Sequence, residues 1–138
     1  MEDSWLSKQT PIVLSILRIM TGLIFLAHGT QKFLSFPAGE RAGDGWAFAS
    51  AGHYAGAIEL IAGLLITVGL FTRPAAFVAS GTMAGAYFIA HAPQNFFPIN
   101  NGGDAAILYC FVFLYLVFSG PGPISLDDAW RRRDPMRP

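Results

Sequence analysis

Charge is what this sequence has least of. Charged residues make up 13% of its 138 positions, about half the share of an ordinary soluble domain. Lysine plus arginine equals aspartate plus glutamate at nine each, for a formal net charge of zero. No basic field is present to draw in a polyanion, and nucleic acid is excluded as a partner. Cysteine is nearly absent. Cys110 is the single copy, so neither an intramolecular disulfide nor a C-x-x-C redox pair can form. A signal-peptide pattern is not what the opening shows: MEDSWLSKQT has no basic n-region, and the apolar run behind it exceeds a signal-peptide core. The first helix is therefore expected to stay in the mature protein.

What is present is apolar. Hydrophobic residues reach 53% and aromatics 14%, far more than one compact core of this length can hide, so most of the chain must face lipid or other apolar helices. The expectation is an all-α fold: one integral membrane domain over 1–138, built as a four-helix bundle. About 20 apolar residues cross a bilayer, and four segments qualify: 11–34, 52–72, 74–92 and 102–120. Pro11 suits a first helical turn. Pro74 ends one helix and starts the next, which makes the second and third segments an antiparallel hairpin. Asn101 is expected to cap the fourth, with Asp104 in its first turn.

Lysine and arginine are unevenly shared between the two sides. Lys8, Arg73, Arg131, Arg132, Arg133 and Arg137 fall on one, Lys32 and Arg41 on the other. This bias places both termini in the cytoplasm and the long segments 35–51 and 93–103 outside.

Against that frame the ionisable residues inside the spans stand out. At 1.5 Å per residue, His28 and His91 lie about 25 Å from the cytoplasmic face, Glu59 about 20 Å and Arg18 about 10 Å. At 100° per residue Arg18, Thr21, Gly22, Phe25, His28, Gly29 and Lys32 share one face of the first helix. Gly52, Gly56, Glu59 and Gly63 form a stripe on the second; Ser80, Ala84, Tyr87 and His91 one on the third. Small residues beside polar ones let membrane helices approach and keep charge from lipid, so these faces are expected to converge.

Glu59 carries most information, because a mid-bundle carboxylate costs several kcal/mol unless paired or protonated. An ion pair with Arg18 or Lys32 that fixes packing stands level with a functional role, and depth favours Lys32 and His28 as partners. The two histidines at one depth raise bis-imidazole haem ligation. Interfacial histidines bonded to loop carbonyls or to Glu59 are the better-supported reading, since two histidines are a weak signal. Zinc would need Asp104 and His53 as well and is weaker still. Taken singly, Lys32 reads as a headgroup-seeking lysine and Asp104 as a helix N-terminal acid. Tyr87, Tyr109 and Tyr115 are packing residues able to hydrogen-bond a carbonyl ligand. Cys110 reads as an inert core thiol.

The segments LRIMTGLIFLAHGTQKF, IELIAGLLITVGLFTRPAA and AHAPQNFFPINNGGDAAILYCFVFLYLVFSGPGPISLD resemble, in order, the DoxX family of small four-helix bacterial membrane proteins. The likeness runs from about residue 12 to 127. It rests on the arginine, histidine-glycine and lysine of the first helix, the glutamate of the second, the GLFTRPAA turn, and the NGGD, LY, GPG and SLD ending. Asp104 stands where the family often has glutamate, which keeps the charge on a shorter arm. The resemblance implies a multi-pass protein of the bacterial inner (plasma) membrane associated with redox systems such as a thiosulfate:quinone oxidoreductase. No catalytic residue carries over.

The stripe of polar groups and the resemblance together favour an accessory subunit of a quinone-linked oxidoreductase, inactive alone. Its candidate pocket is Arg18, His28, Lys32, Glu59, Tyr87, His91 and Asp104. No cofactor is fixed by the residues; quinone is the ligand they suggest. The bilayer, partner subunits and a second copy of the chain are the expected partners. A non-enzymatic scaffold or small-molecule binding protein is the alternative, and anion transport past Arg18, His28 and Lys32 is a third reading.

Overall fold

A computed structural model describes residues 4–134; Arg137, counted above in the charge bias, lies outside them. The described chain is helical, with α1 (Trp5–Leu34), α2 (Ala51–Val68), α3 (Thr72–Ala86), α4 (Pro98–Asn101), α5 (Asp104–Ser119) and α6 (Leu126–Arg133). A 3₁₀ turn (Asp44–Trp46) interrupts the α1–α2 connection, and a π-helical turn (Tyr87–His91) extends α3.

The caps explain where helices start and stop. Ser4 accepts from Ser7 N and starts α1 six residues before Pro11, which sits inside the helix rather than opening it. Ser50 accepts from the His53 amide at 3.0 Å to start α2, and Gly69 ends it with φ +71°, where glycine carries no Cβ penalty. The N-terminus of α3 is capped from far along the chain: both carboxylate oxygens of Asp127 accept from Phe71 N (2.8 Å) and Thr72 N (2.9 Å). Asn101 does not cap α5. It belongs to the short α4, and its Oδ1 accepts from Gly103 N at 2.8 Å, turning the chain into α5 two residues later than expected. α6, read from sequence only as a charge run, is a helix because Ser125 caps it through Asp128 N and its last turn carries Arg131, Arg132 and Arg133 against the dipole.

α1 packs on α2, α2 on α3, and α3 on α5, each antiparallel to the last. The α1–α2 contact is close because glycine permits it. A Cβ on Gly29 would sit 2.5 Å from Leu60 N, and one on Gly63 2.8 Å from Leu26 Cα. α3 meets α5 through Ala76 and Ala79 and a bond from Ser80 Oγ to Cys110 O at 2.8 Å. Phe25, Ile66, Phe113 and Leu116 fill the centre.

The distribution of polarity is inverted relative to a soluble protein. Ser15, Arg18, Lys32, Glu59, Thr72, Ser80 and Asn101 are buried, while Ile12, Val13, Ile16, Leu23, Ile61 and Phe111 are exposed. An apolar outer surface around buried charge is what a lipid solvent selects. By length and composition α1 and α2 each suffice to cross a bilayer; α5 is apolar but shorter.

Candidate functional site

The buried charges separate into two groups at opposite ends of the bundle. At the end where α2 and α5 stop, Arg18 is fully buried and its guanidinium faces four carbonyls: Nε donates to Pro121 O (2.8 Å), Nη1 to Ile66 O (2.5 Å) and Thr67 O (2.6 Å), and Nη2 to Ile124 O. The C-terminus of α2 leaves unpaired carbonyls, and a planar five-donor cation satisfies them while tying down the chain beyond α5. Ser15 assists: its Oγ donates to Pro11 O and accepts from Ile124 N. Arg18 is thus committed to carbonyls and does not reach Glu59.

At the opposite end, Lys32 Nζ lies 2.6 Å from Glu59 Oε2, with both side chains under one-tenth exposed. The pair forms because Gly56 and Gly29 bring the two helices together: a Cβ on Gly56 would touch Lys32 Cδ at 3.1 Å. Beside it opens a cavity of about 560 Å³ between α1, α2, α3 and α5. Its walls include Phe25, Ile58, Met83, Ala86 and Ala106; its polar groups are His28, Lys32, Arg41, Tyr54, Glu59, Thr82, His91 and Tyr109. His28 stands edge-on to Tyr109 with centroids 6.1 Å apart, and Tyr109 stacks on Phe113 at 5.7 Å. Among the described residues neither the His28 ring nor the Tyr109 hydroxyl has a hydrogen-bond partner, and Glu59 Oε1 accepts nothing. The cavity therefore holds unused donors and an unused acceptor beside a fixed ion pair.

His91 enters through the π-helical turn. Ala92 N bonds Tyr87 O at 2.8 Å, and the extra residue in that turn swings His91 so that its Nδ1 bonds Asn101 O at 2.9 Å. Since that carbonyl can only accept, a neutral His91 carries its proton on Nδ1 and leaves Nε2 as an acceptor.

Four of the seven residues singled out from sequence, His28, Lys32, Glu59 and His91, thus line one cavity. Arg18 is at the other end. Tyr87 lies behind His91, its ring stacked on the imidazole at 6.5 Å. Asp104 is exposed at the first turn of α5 and does not line the cavity. His53 is held by Gly45 O at 2.7 Å among Phe33, Phe48 and Tyr54. Among the described residues, no group of three or more His, Cys, Asp or Glu side chains is placed to hold a metal. Arg41, Tyr54 and Thr82 line the cavity without having been singled out as site residues. Arg41 comes from the α1–α2 connection, whose path no periodicity predicts, and Thr82 looks like any small polar residue of α3.

Comparison with known proteins gives a family and little chemistry. Residues 13–92 match the DoxX family. A Haemophilus influenzae relative named "Uncharacterized protein" is 44% identical over 131 residues, covering 93% of this chain and 98% of its own. "Uncharacterized membrane protein Rv3486" of Mycobacterium tuberculosis is 27% identical, with 94% and 90% covered. "Putative oxidoreductase CatD" of Bacillus subtilis is 29% identical, with 88% and 90% covered. No solved structure matches the chain at a significant level. A full-length relative at 44% identity, a family match over more than half the residues, and an apolar exterior around buried charge agree: the chain belongs to the DoxX family of membrane proteins.

Proposed function

We propose that this protein is a four-span accessory subunit of a membrane oxidoreductase whose cavity binds the headgroup of a quinone. The spans are α1, α2, α3 with its π-helical extension, and α5; the last, at 16 residues, is about 24 Å long, so the helix tilts little and the bilayer thins around it. The lysine and arginine bias puts both termini on the cytoplasmic side of the inner membrane and the cavity in the outer half.

One observation carries the reading: a cavity of about 560 Å³ that is apolar along its walls and holds unspent donors on His28, Lys32 and Tyr109 beside an unspent acceptor on Glu59. That is the general make-up of a small-molecule site, a few placed polar groups in an apolar cleft. It suits a flat ring with a carbonyl at each end. Lys32 has two N–H groups left after its bond to Glu59, so Lys32 and His28 hold one carbonyl oxygen. Tyr109 orients the ring, and Glu59 or His91 exchanges the protons that accompany two-electron reduction or oxidation of a quinone. Electrons come from a partner subunit, since this chain has one cysteine and no dithiol.

The rim offers a surface for such a partner: Phe48 and Phe96 are about 85% exposed in the connections that flank the cavity. The same rim favours a second reading, a scaffold that docks another protein or a second copy without chemistry of its own. Binding of a short-chain quinone to the purified protein separates the two. His28→Ala and Glu59→Gln should each weaken it about tenfold, the scale of one charge-assisted hydrogen bond. Unchanged binding in both variants, or full quinone-dependent activity of an assembled complex carrying them, would refute the quinone site and leave the scaffold.

A further inference from the structure

A second site lies at the opposite end of the bundle. Thr72, Arg73, Asp127 and Arg131 line a cleft of about 330 Å³ between the start of α3, Pro121 and α6, with Phe71 and Trp130 as aromatic walls whose rings are 6.4 Å apart. Thr72 is fully buried, and its hydroxyl is the one buried side-chain polar atom among the described residues with no hydrogen-bond partner. Such an orphan costs free energy unless something supplies the missing bond. Arg73 spends only Nη1, on Val117 O (2.6 Å) and Phe118 O (2.9 Å), which leaves Nε and Nη2 as donors. Arg131 is exposed, and among the described residues its guanidinium has no partner. Of the two acids lining the cleft, Asp127 has both oxygens occupied by the Phe71 and Thr72 amides, and Asp134 follows the last turn of α6.

The cleft is continuous with a second one of different character. Phe71 and Pro74 also border a groove of about 350 Å³ between α2 and α3, lined by apolar residues throughout, Ile58, Ile61, Leu65 and Val78 among them. From Ala57 to Leu65 it runs about 12 Å along α2. Hydroxyl and guanidinium donors at a helix end, joined through shared residues to a dry groove on the lipid-facing side, have the shape of one amphiphile.

We infer that this paired cleft binds a single anionic glycerophospholipid, its phosphate held by Thr72 Oγ1, Arg73 and Arg131 and one acyl chain laid in the groove between α2 and α3. The groove selects a lipid over a free phosphate, and the two arginines select an anionic headgroup over a zwitterionic one. Each arginine near the headgroup layer contributes about a fivefold preference.

The test is lipid retention by the purified full chain in detergent, read by native mass spectrometry with phosphatidylglycerol and phosphatidylcholine of matched chains in competition. The wild type should keep one phosphatidylglycerol at least fivefold in preference to phosphatidylcholine. Arg131→Gln, a surface change that leaves the packing alone, should cut that preference about fivefold, and Thr72→Val should lower it too. Val78→Trp, which fills the groove, should reduce retention of both lipids alike. Equal retention of the two lipids by the wild type overturns the proposal without any variant having to fold. So does an undiminished preference in Arg131→Gln, or a rise in melting temperature with millimolar inorganic phosphate as large as that with phosphatidylglycerol.

Discussion

Removing one member of the Lys32–Glu59 pair should damage this protein far more than removing both. The two charged atoms are 2.6 Å apart with side chains 8% and 7% exposed. Glu59→Gln leaves an ammonium, and Lys32→Met a carboxylate, with no opposite charge in hydrogen-bond reach; Arg18, the other buried cation among the described residues, is occupied by four carbonyls at the opposite end of the bundle. Breaking a buried pair by removing one partner typically costs about 3–5 kcal/mol, whereas replacing both by apolar groups of similar size is often neutral. The double variant Lys32→Met/Glu59→Leu should therefore lie within about 1 kcal/mol of wild type, a coupling of several kcal/mol in a double-mutant cycle. Reversible unfolding in detergent with a denaturant series measures all four forms. Additive losses, with the double variant as unstable as the sum of the singles, would refute the reasoning: the pair would then be solvated rather than buried. A stable double variant that no longer binds quinone would separate the pair's packing role from its proposed role in the cavity.

The other predictions follow from the same contacts. Arg18→Met should destabilise by about 3 kcal/mol or more because four carbonyls lose a charged donor at once, and Arg18→Lys should recover only part of it, having three N–H groups and no plane; melting temperature reads both. Gly63→Ala should cost about 1–3 kcal/mol by driving a methyl into the Leu26 backbone, while Gly81→Ala, with open space around its Cβ, should be neutral or gain about 0.5–1 kcal/mol in the same assay. Asp127→Ala should cost about 1–2 kcal/mol through the lost cap on α3 and should raise proteolysis of the C-terminal segment, which then keeps at residue 127 only the backbone hydrogen bond from its N–H to Gly69 O (2.8 Å), a bond that alanine retains.

Legibility differed by residue, and the reasons are physical. The helical character of α1 and most of the face it turns inward were readable because burial repeats every 3.6 residues: Arg18, Gly22, Phe25, Gly29 and Lys32 of the seven residues assigned to that face are buried, together with Ser15, whereas Thr21 is half-buried and His28 is exposed at the cavity. Depth along a helix, a quantity that rise per residue supplies, favoured Lys32 and His28 over Arg18 as partners for Glu59 without choosing between those two. Start points were less secure, since capping by Ser4 and Ser50 depends on one side chain reaching one amide, and the long-range cap from Asp127 joins residues 55 positions apart.

Composition and period alone were enough to specify a helical chain, an apolar exterior, and a buried stripe of polar and small residues on α1 and α2, because lipid or protein contact selects residue type directly; of the stripe read on the third helix only Ser80 is buried, with Ala84, Tyr87 and His91 half-buried. Three-dimensional packing decided which polar groups meet. Arg18 and Lys32 lie on one stripe of one helix, yet one closes the end of α2 and the other completes an ion pair with a residue 27 positions along the chain. Packing also decided that Asp104 stays outside the cavity, that a π-helical turn brings His91 to it, and that Thr72, unremarked in the chain, is left with an unspent hydroxyl. These outcomes depend on helix separation, register and rotation between segments distant in sequence, which close contacts at Gly29 and Gly63 set and which no local pattern encodes.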